Sequence, residues 1–262
     1  MVYVTFMGTG GAFSTGPRGN LALLIENGNF RMVIESGPLL VHQLAAAGLE
    51  ARDIDHIFIS HSHGDHSLGF PMLALHRNTH PKLLHVYGAS STLDSLRILC
   101  AASYQGLKLL RNNIYWHPLS EDGREKVFIA EDLTLTTDVV PHPAGVPTLA
   151  ARWDFLKGPS ITFATDTIPN PTTIDLARGS DLLIHDASYS ATLQPDIVPG
   201  PTFHSTARQA GEVARQAGCS HLALVHLSPE IGDSSEVLIE EARAGTDLQV
   251  TIPVDGQRVP MR

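Results

Sequence analysis

The chain has 262 residues, 43% of them hydrophobic, which is enough apolar surface for a sizeable core. Its formal net charge is −9, and no run of lysine and arginine exceeds two residues, so the basic patch that a long nucleic acid needs is missing. Cys100 and Cys219 lie far apart, outside any CxxC pair; they read as buried small hydrophobes, not as a disulfide or a thiolate metal site.

The opening stretch "MVYVTFMGTG" has neither the basic start nor the apolar centre of a signal peptide, and no apolar run approaches a membrane span. A cytoplasmic location follows as the expectation. "VYVTFMG", "NLALLIEN" and "RMVIESG" read as strands, and "PLLVHQLAAAG" reads as a helix closed by Gly48. The glycines of "GTGG" suggest a tight turn. They do not fit a dinucleotide fingerprint, because Phe13 stands where the third glycine belongs and a polar loop follows.

"IDHIFIS" is a buried strand that stops at Ser60, followed by a helix from about Ser67. Next come strand "LLHVYGA", helix "STLDSLRILCAASYQ", hairpin "KVFIAEDLTLTTDVV", and strands "TLAARWDF" and "SITFATDT". The C-terminal part reads as strand "DLLIHDAS", capped helix "HSTARQAGEVARQAG", strand "HLALVHLS", helix "SSEVLIEEARAG" and closing strands in "LQVTIPVDGQRVPM". Hairpin-rich β segments are thus followed by β-α units, twice, with no linker between. The pattern predicts one α/β domain over residues 1–262, two sheets face to face with helices outside.

The chemistry concentrates in "HSHGDH". His61, His63, Asp65 and His66 crowd one short segment, which is costly unless a cation organises them. Imidazole nitrogen and carboxylate oxygen are ligands for zinc and similar divalent ions. In a tight loop, residues 61 and 63 can face one way and 65 and 66 another, so one segment can serve two adjacent cations. Further ligands are expected at other strand ends on the same rim. His142 closes "LTTDVVPH", Asp166 closes "SITFATD", and His226 ends "HLALV". His42, His56, His76, His80, His85, His117, His185 and His221 read as ordinary core or surface residues.

This ligand set resembles the HxHxDH pattern of the metallo-β-lactamase superfamily, over nearly the whole chain. The resemblance implies a four-layer αββα sandwich with a di-metal site. His61, His63 and His142 would hold one ion, Asp65, His66 and His226 the other, with Asp166 and a water or hydroxide between them. "HDAS" and "HSTAR" further resemble two motifs of the ribonuclease Z branch. That resemblance implies a pairing of Asp186 with His204 and a catalytic set of Asp65, Asp186 and His204. The bland alternative for His204 is that it merely precedes a helix cap at Ser205 or Thr206.

The tRNA-gripping arm of ribonuclease Z would lie between His142 and Asp166, and those 24 positions leave no room for it. The chain thus resembles arm-less members of the branch. They imply a hydrolase that uses a hydroxide bridging two divalent ions, zinc first and manganese also fitting. Its substrate would be a small or cyclic phosphodiester. Arylsulfatase, lactonase or thioesterase chemistry on the same site, tRNA 3′-end cleavage, and a non-enzymatic metal-binding subunit are the alternatives. A small anionic ester is the expected partner, without membrane or long nucleic acid, and the family resemblance suggests a homodimer. The Pro-rich stretch 190–203 is a candidate lid.

Overall fold

The architecture follows from strands that are apolar on both faces. In the computed structural model, which describes residues 1–14, 16–77, 80–104, 113–231 and 234–261, β1 (Val2–Gly8) is buried along almost its whole length. It pairs antiparallel with β2 (Ala22–Asn27), and β2 with β3 (Phe30–Ile34). Three parallel neighbours extend the sheet: β4 (His56–Phe58), β5 (Leu84–Ala89) and β6 (Ile114–Leu119). The last strand, β14 (Gln257–Met261), closes the far edge against β1.

A second seven-stranded sheet repeats this plan. β7 (Glu125–Ala130), β8 (Leu133–Val140), β9 (Thr148–Phe155) and β10 (Ser160–Ala164) are antiparallel neighbours. β11 (Leu182–Asp186), β12 (His221–Val225) and β13 (Gln249–Thr251) continue in parallel. Between the sheets lies the largest apolar cluster, where Phe58 meets the fully buried Trp153 edge to face at 5.6 Å.

Helices cover the outer faces. α1 (Leu40–Ala46), α3 (Phe70–Arg77) and α4 (Ser90–Ser103) bury Leu40, Leu44, Phe70, Leu73, Leu93 and Leu96 against the first sheet. On the second, α6 (Ala207–Ala217) and α7 (Ser235–Arg243) bury Val213 and Leu238. The expected αββα sandwich is the observed one.

Three details differ from the sequence expectation. The helix expected from Ser67 begins a turn earlier, as α2 (Gly64–Ser67), so Asp65 and His66 sit on a helical turn and not in a loop. β6 gives little sequence signal because it contains Pro118, which is tolerated at the sheet edge that this strand forms. The six-residue α5 (Pro171–Leu176) is too short for a clear period; it is defined by Asn170, whose side chain accepts from the Thr173 amide. Among the described residues, no helix is long and apolar enough to cross a membrane.

Candidate metal centre

The parallel strands β4, β10, β11 and β12 end on one rim of the sandwich. There each chain must turn out of a buried strand, and there the polar residues gather. His61 follows β4, Asp166 follows β10, Asp186 ends β11 and His226 follows β12. His142 arrives from the end of β8, and α2 presents Asp65 and His66.

Among the described residues, three groups of donors form there, and two of them share Asp166. His61, His63, His142 and Asp166 each bring one ligand atom within 4.8 Å of the others, and Asp65, His66, Asp166 and His226 do the same. Asp166 belongs to both. Its Oδ2 lies 3.6 Å from His61 Nε2 and 3.2 Å from His66 Nε2, and its Oδ1 lies 3.3 Å from His226 Nε2. Asp65 Oδ2 stands 3.1 Å from His66 Nε2 and 3.2 Å from His226 Nε2. His142 Nε2 and His63 Nδ1 are 3.2 Å apart. All seven sequence candidates for ligands therefore come together, divided between two groups in the way the resemblance implies.

A pair of divalent cations fits this donor set. His61 Nε2 is buried without a hydrogen-bond partner, which is costly unless a cation takes its lone pair. The Asp65 and Asp166 carboxylates crowd His66 Nε2 at 3.1 and 3.2 Å, a concentration of negative charge that a cation would offset. Opposite ring atoms are oriented by the protein: Ser60 Oγ is 2.9 Å from His61 Nδ1, and Ser188 Oγ is 2.9 Å from His226 Nδ1. Such supports leave the Nε2 atoms of His61 and His226 turned towards the cluster as the atoms able to hold a cation.

Electrostatics of the cluster are strongly coupled. Burial disfavours the charged form of Asp65, but hydrogen bonds from His226 and His66 outweigh it and hold the carboxyl well below the usual range. Asp166 is likewise held low, against its own burial, by His226 and His66. Burial pushes His142 down to about 4, and burial together with the neighbouring His66 pushes His61 well down. For His66 burial acts in the same direction, yet Asp166 and Glu35 prevail and raise it.

Beside the cluster stands the second pair. Asp186 is fully buried and accepts from Ser188 N, Ser188 Oγ and Ser205 N; His204 Nδ1 lies 3.0 Å from its Oδ2. Asp186, His204 and His226 also bring donor atoms within 4.8 Å of one another, but the Asp186 oxygens are already engaged by these donors. Burial lowers the affinity of His204 for a proton, but the Asp186 carboxylate more than reverses this and raises its pKa to about 9. His204 does precede a helix cap: Thr206 accepts from the Gln209 amide, and Gln209 returns the bond. The cap is Thr206, which leaves the His204 ring free to pair with Asp186. His185 alternates to the opposite face of β11, with Nδ1 2.8 Å from the Asp186 carbonyl.

A cavity of about 400 Å³ opens against His204 and His226, lined also by Phe13, Tyr189, Gln194 and Ile197. The stretch 190–203 supplies two of these residues, as a loop with a single 3-10 turn at Gly200–Thr202. The "GTGG" turn has a role at the site that its sequence does not announce. A Cβ at Gly11 would stand 3.1 Å from Cε1 of His226, a tight contact, so glycine eases the packing of the turn against that imidazole. Glu35 is also missed by sequence reasoning. It is fully buried beside His66, with Oε2 3.4 Å from Nδ1. Its signal was available: like Asp166, it follows a buried strand on the same rim.

Residues 2–198 match the family model described as anti-Pycsar protein Apyc1. A ribonuclease Z from Haloarcula marismortui is 28% identical, over 97% of this chain and 94% of the relative. Among solved structures, the metallo-β-lactamase fold protein YhfI from Bacillus subtilis superposes with a TM-score of 0.82 at 20% identity, covering 98% of each chain. A diphosphatase of the PhnP family gives a TM-score of 0.73 at 20% identity, over 98% of this chain and 96% of that one.

Proposed function

Since the chain belongs to the family of anti-Pycsar protein Apyc1, we propose that it is a metal-dependent hydrolase of a small or cyclic phosphodiester. The observation that carries this reading is the Asp186–His204 pair standing beside a donor set for two cations. Simple metal storage would need no proton donor there.

His61, His63 and His142 would hold one cation, Asp65, His66 and His226 the other, with Asp166 shared. When bound, two such cations supply Lewis-acid polarisation of a phosphoryl oxygen and lower the pKa of water; zinc and manganese both suit nitrogen and oxygen ligands. The protein's own residues do the rest. Asp186 accepts from His204 Nδ1–H and favours the imidazolium, so Nε2–H is the proton available to the leaving oxygen. Ser188 Oγ contacts both Asp186 and His226 Nδ1, which ties the proton donor to the ligand set. Phe13, Tyr189 and Ile197 give the adjoining cavity apolar walls, and about 400 Å³ is the size for a nucleotide-sized ester.

The ribonuclease Z relative favours a second reading, tRNA 3′-end cleavage. Against it, β9 and β10 are joined by residues 156–159 alone, with no arm between His142 and Asp166, and the net charge is −9. A homodimer is part of the proposal through the branch it resembles.

The test is hydrolysis by zinc- or manganese-reloaded protein of bis(p-nitrophenyl) phosphate and of 3′,5′-cyclic nucleotides. p-Nitrophenyl sulfate, a lactone and a precursor tRNA are run in parallel. Turnover of the diesters, lost with Asp166→Ala, is the expected result. Turnover of the sulfate or lactone alone, precursor-tRNA cleavage without small-diester turnover, or full activity in Asp166→Ala would overturn the reading.

A further inference from the structure

Glu35 is one of five non-glycine residues with positive φ among those described, at φ 68. Two of the others, Asp166 (φ 51) and His226 (φ 58), belong to the donor set, and Phe203 adjoins His204. Left-handed backbone is unfavourable for any residue with a Cβ, and glycine would remove the strain. Glutamate at position 35 therefore has to be explained by its side chain.

That side chain is fully buried. Oε1 and Oε2 lie 3.2 and 3.4 Å from the Ser60 amide, which donates to them, and Oε2 faces His66 Nδ1 at 3.4 Å. The other ring nitrogen of His66 faces Asp65 and Asp166. The backbone holds this arrangement in place. Glu35 N donates to Phe58 O, Ser36 N to His66 O, and Gly69 N to Ser36 O. A Cβ at Gly37 would stand 2.3 Å from the Asp65 carbonyl, so the strand end and α2 meet without side chains between them. His61 and His226 have a neutral serine hydroxyl at Nδ1, whereas His66 has a carboxylate.

From this geometry we infer that Glu35 is the positioning residue for the cation held by Asp65, His66 and His226. Its carboxylate keeps the proton of His66 on Nδ1, which presents the Nε2 lone pair to the cation and makes that imidazole the more basic ligand. The inference rests on the two-cation reading above. It makes the two sites unequal: the site containing His66 is tightened by a buried anion, and the site of His61, His63 and His142 is not.

The experiment is zinc competition against a chromophoric chelator, with metal content by mass spectrometry and a thermal melt, on wild type and Glu35→Gln. Glutamine keeps the size but has one acceptor for two N–H groups. The expected result is two zinc ions in wild type, with one affinity falling about 10–100-fold in the variant and the other changing less than threefold. If Glu35→Gln does not fold, Glu35→Asp, which withdraws the charge from Nδ1, is read for the same asymmetry. Equal weakening of both sites, or no change, would overturn the positioning role and leave the two-cation reading standing. No zinc uptake by wild type would overturn both.

Discussion

Replacing Asp186 by asparagine keeps the size and removes the charge, which isolates what the carboxylate does for His204. Burial by itself lowers the His204 pKa below the ordinary 6.5; Asp186 raises it to about 9. Without that charge the value falls to 6.5 or lower. At pH 8 the protonated fraction then drops from about 90% to about 3%, a loss of roughly thirtyfold in the form able to donate. At pH 5.5, below both values, the two proteins carry nearly the same charge on His204 and differ little. Bound dications lower both pKa values alike, so the displacement between the two profiles, about two pH units or more, is the predicted quantity. The assay is kcat against pH for wild type and Asp186→Asn on two diesters. A 3′,5′-cyclic nucleotide has an alkoxide leaving group that needs a proton. Bis(p-nitrophenyl) phosphate has a leaving group that does not. The displacement should appear with the first and nearly vanish with the second. A pH-independent loss of equal size on both substrates would refute the proton-donor role and leave Asp186 with a purely structural one.

Two further outcomes follow from groups outside the donor set. Glu241 of α7 accepts from Ala191 N at 2.9 Å and Thr192 N at 2.7 Å, and also from Ser190 Oγ, so it anchors the start of the 190–203 loop. Glu241→Ala should raise KM about five- to tenfold with kcat within twofold, and steady-state kinetics showing the opposite split would dismiss the loop as a binding element. At the other end of the first sheet, His56 stacks on His85 at 4.9 Å, and burial pushes its pKa down to about 4. A depressed histidine contributes stability above its unfolded value of about 6.5 that is lost as pH falls towards 4, because the unfolded chain binds the proton more readily. Urea unfolding at pH 7 and pH 4.5 should therefore show wild type losing about 2 kcal/mol more than His56→Phe. Equal losses would contradict that account.

How much of this the sequence reveals depends on which signals are local. The ligands in "HSHGDH" are a local cluster, and His142, Asp166 and His226 were found by one topological rule, that ligands sit where buried strands end. The same rule applied to "VIESG" reaches Glu35, but an isolated glutamate followed by Ser36 and Gly37 looks like the start of a turn. Its burial depends on α2 packing across β3, a contact between segments thirty positions apart that no spacing rule encodes. Ser188 is similar. In "HDAS" it is a small polar residue at a strand end, and only the return of β12 beside β11 brings His226 within 2.9 Å of its hydroxyl. The boundary of α2 was missed for a different reason: Gly64 is a poor helix former, and the turn is held by tertiary contacts of Ser36 and Gly69. β6 was hidden by its proline.

The placement of strain fits this division of labour. Asp166 and His226 have left-handed backbone directly at the donor cluster, as Glu35 does beside it. Each follows a buried strand whose ladder fixes the chain up to the preceding residue or two, so the turn out of the sheet has few conformations available. The cost of about 1–2 kcal/mol for each such residue is met by the sheets, whose inner cluster runs from Val4 and Phe6 through Phe58 to Trp153. Relaxing that backbone would move a ligand atom by more than the few tenths of an ångström that a coordination shell tolerates. On the two-cation reading, strain at these positions is a consequence of demanding two adjacent sites from one rim. A glycine at any of them would relieve the backbone, but it would remove a proposed ligand or the carboxylate behind one.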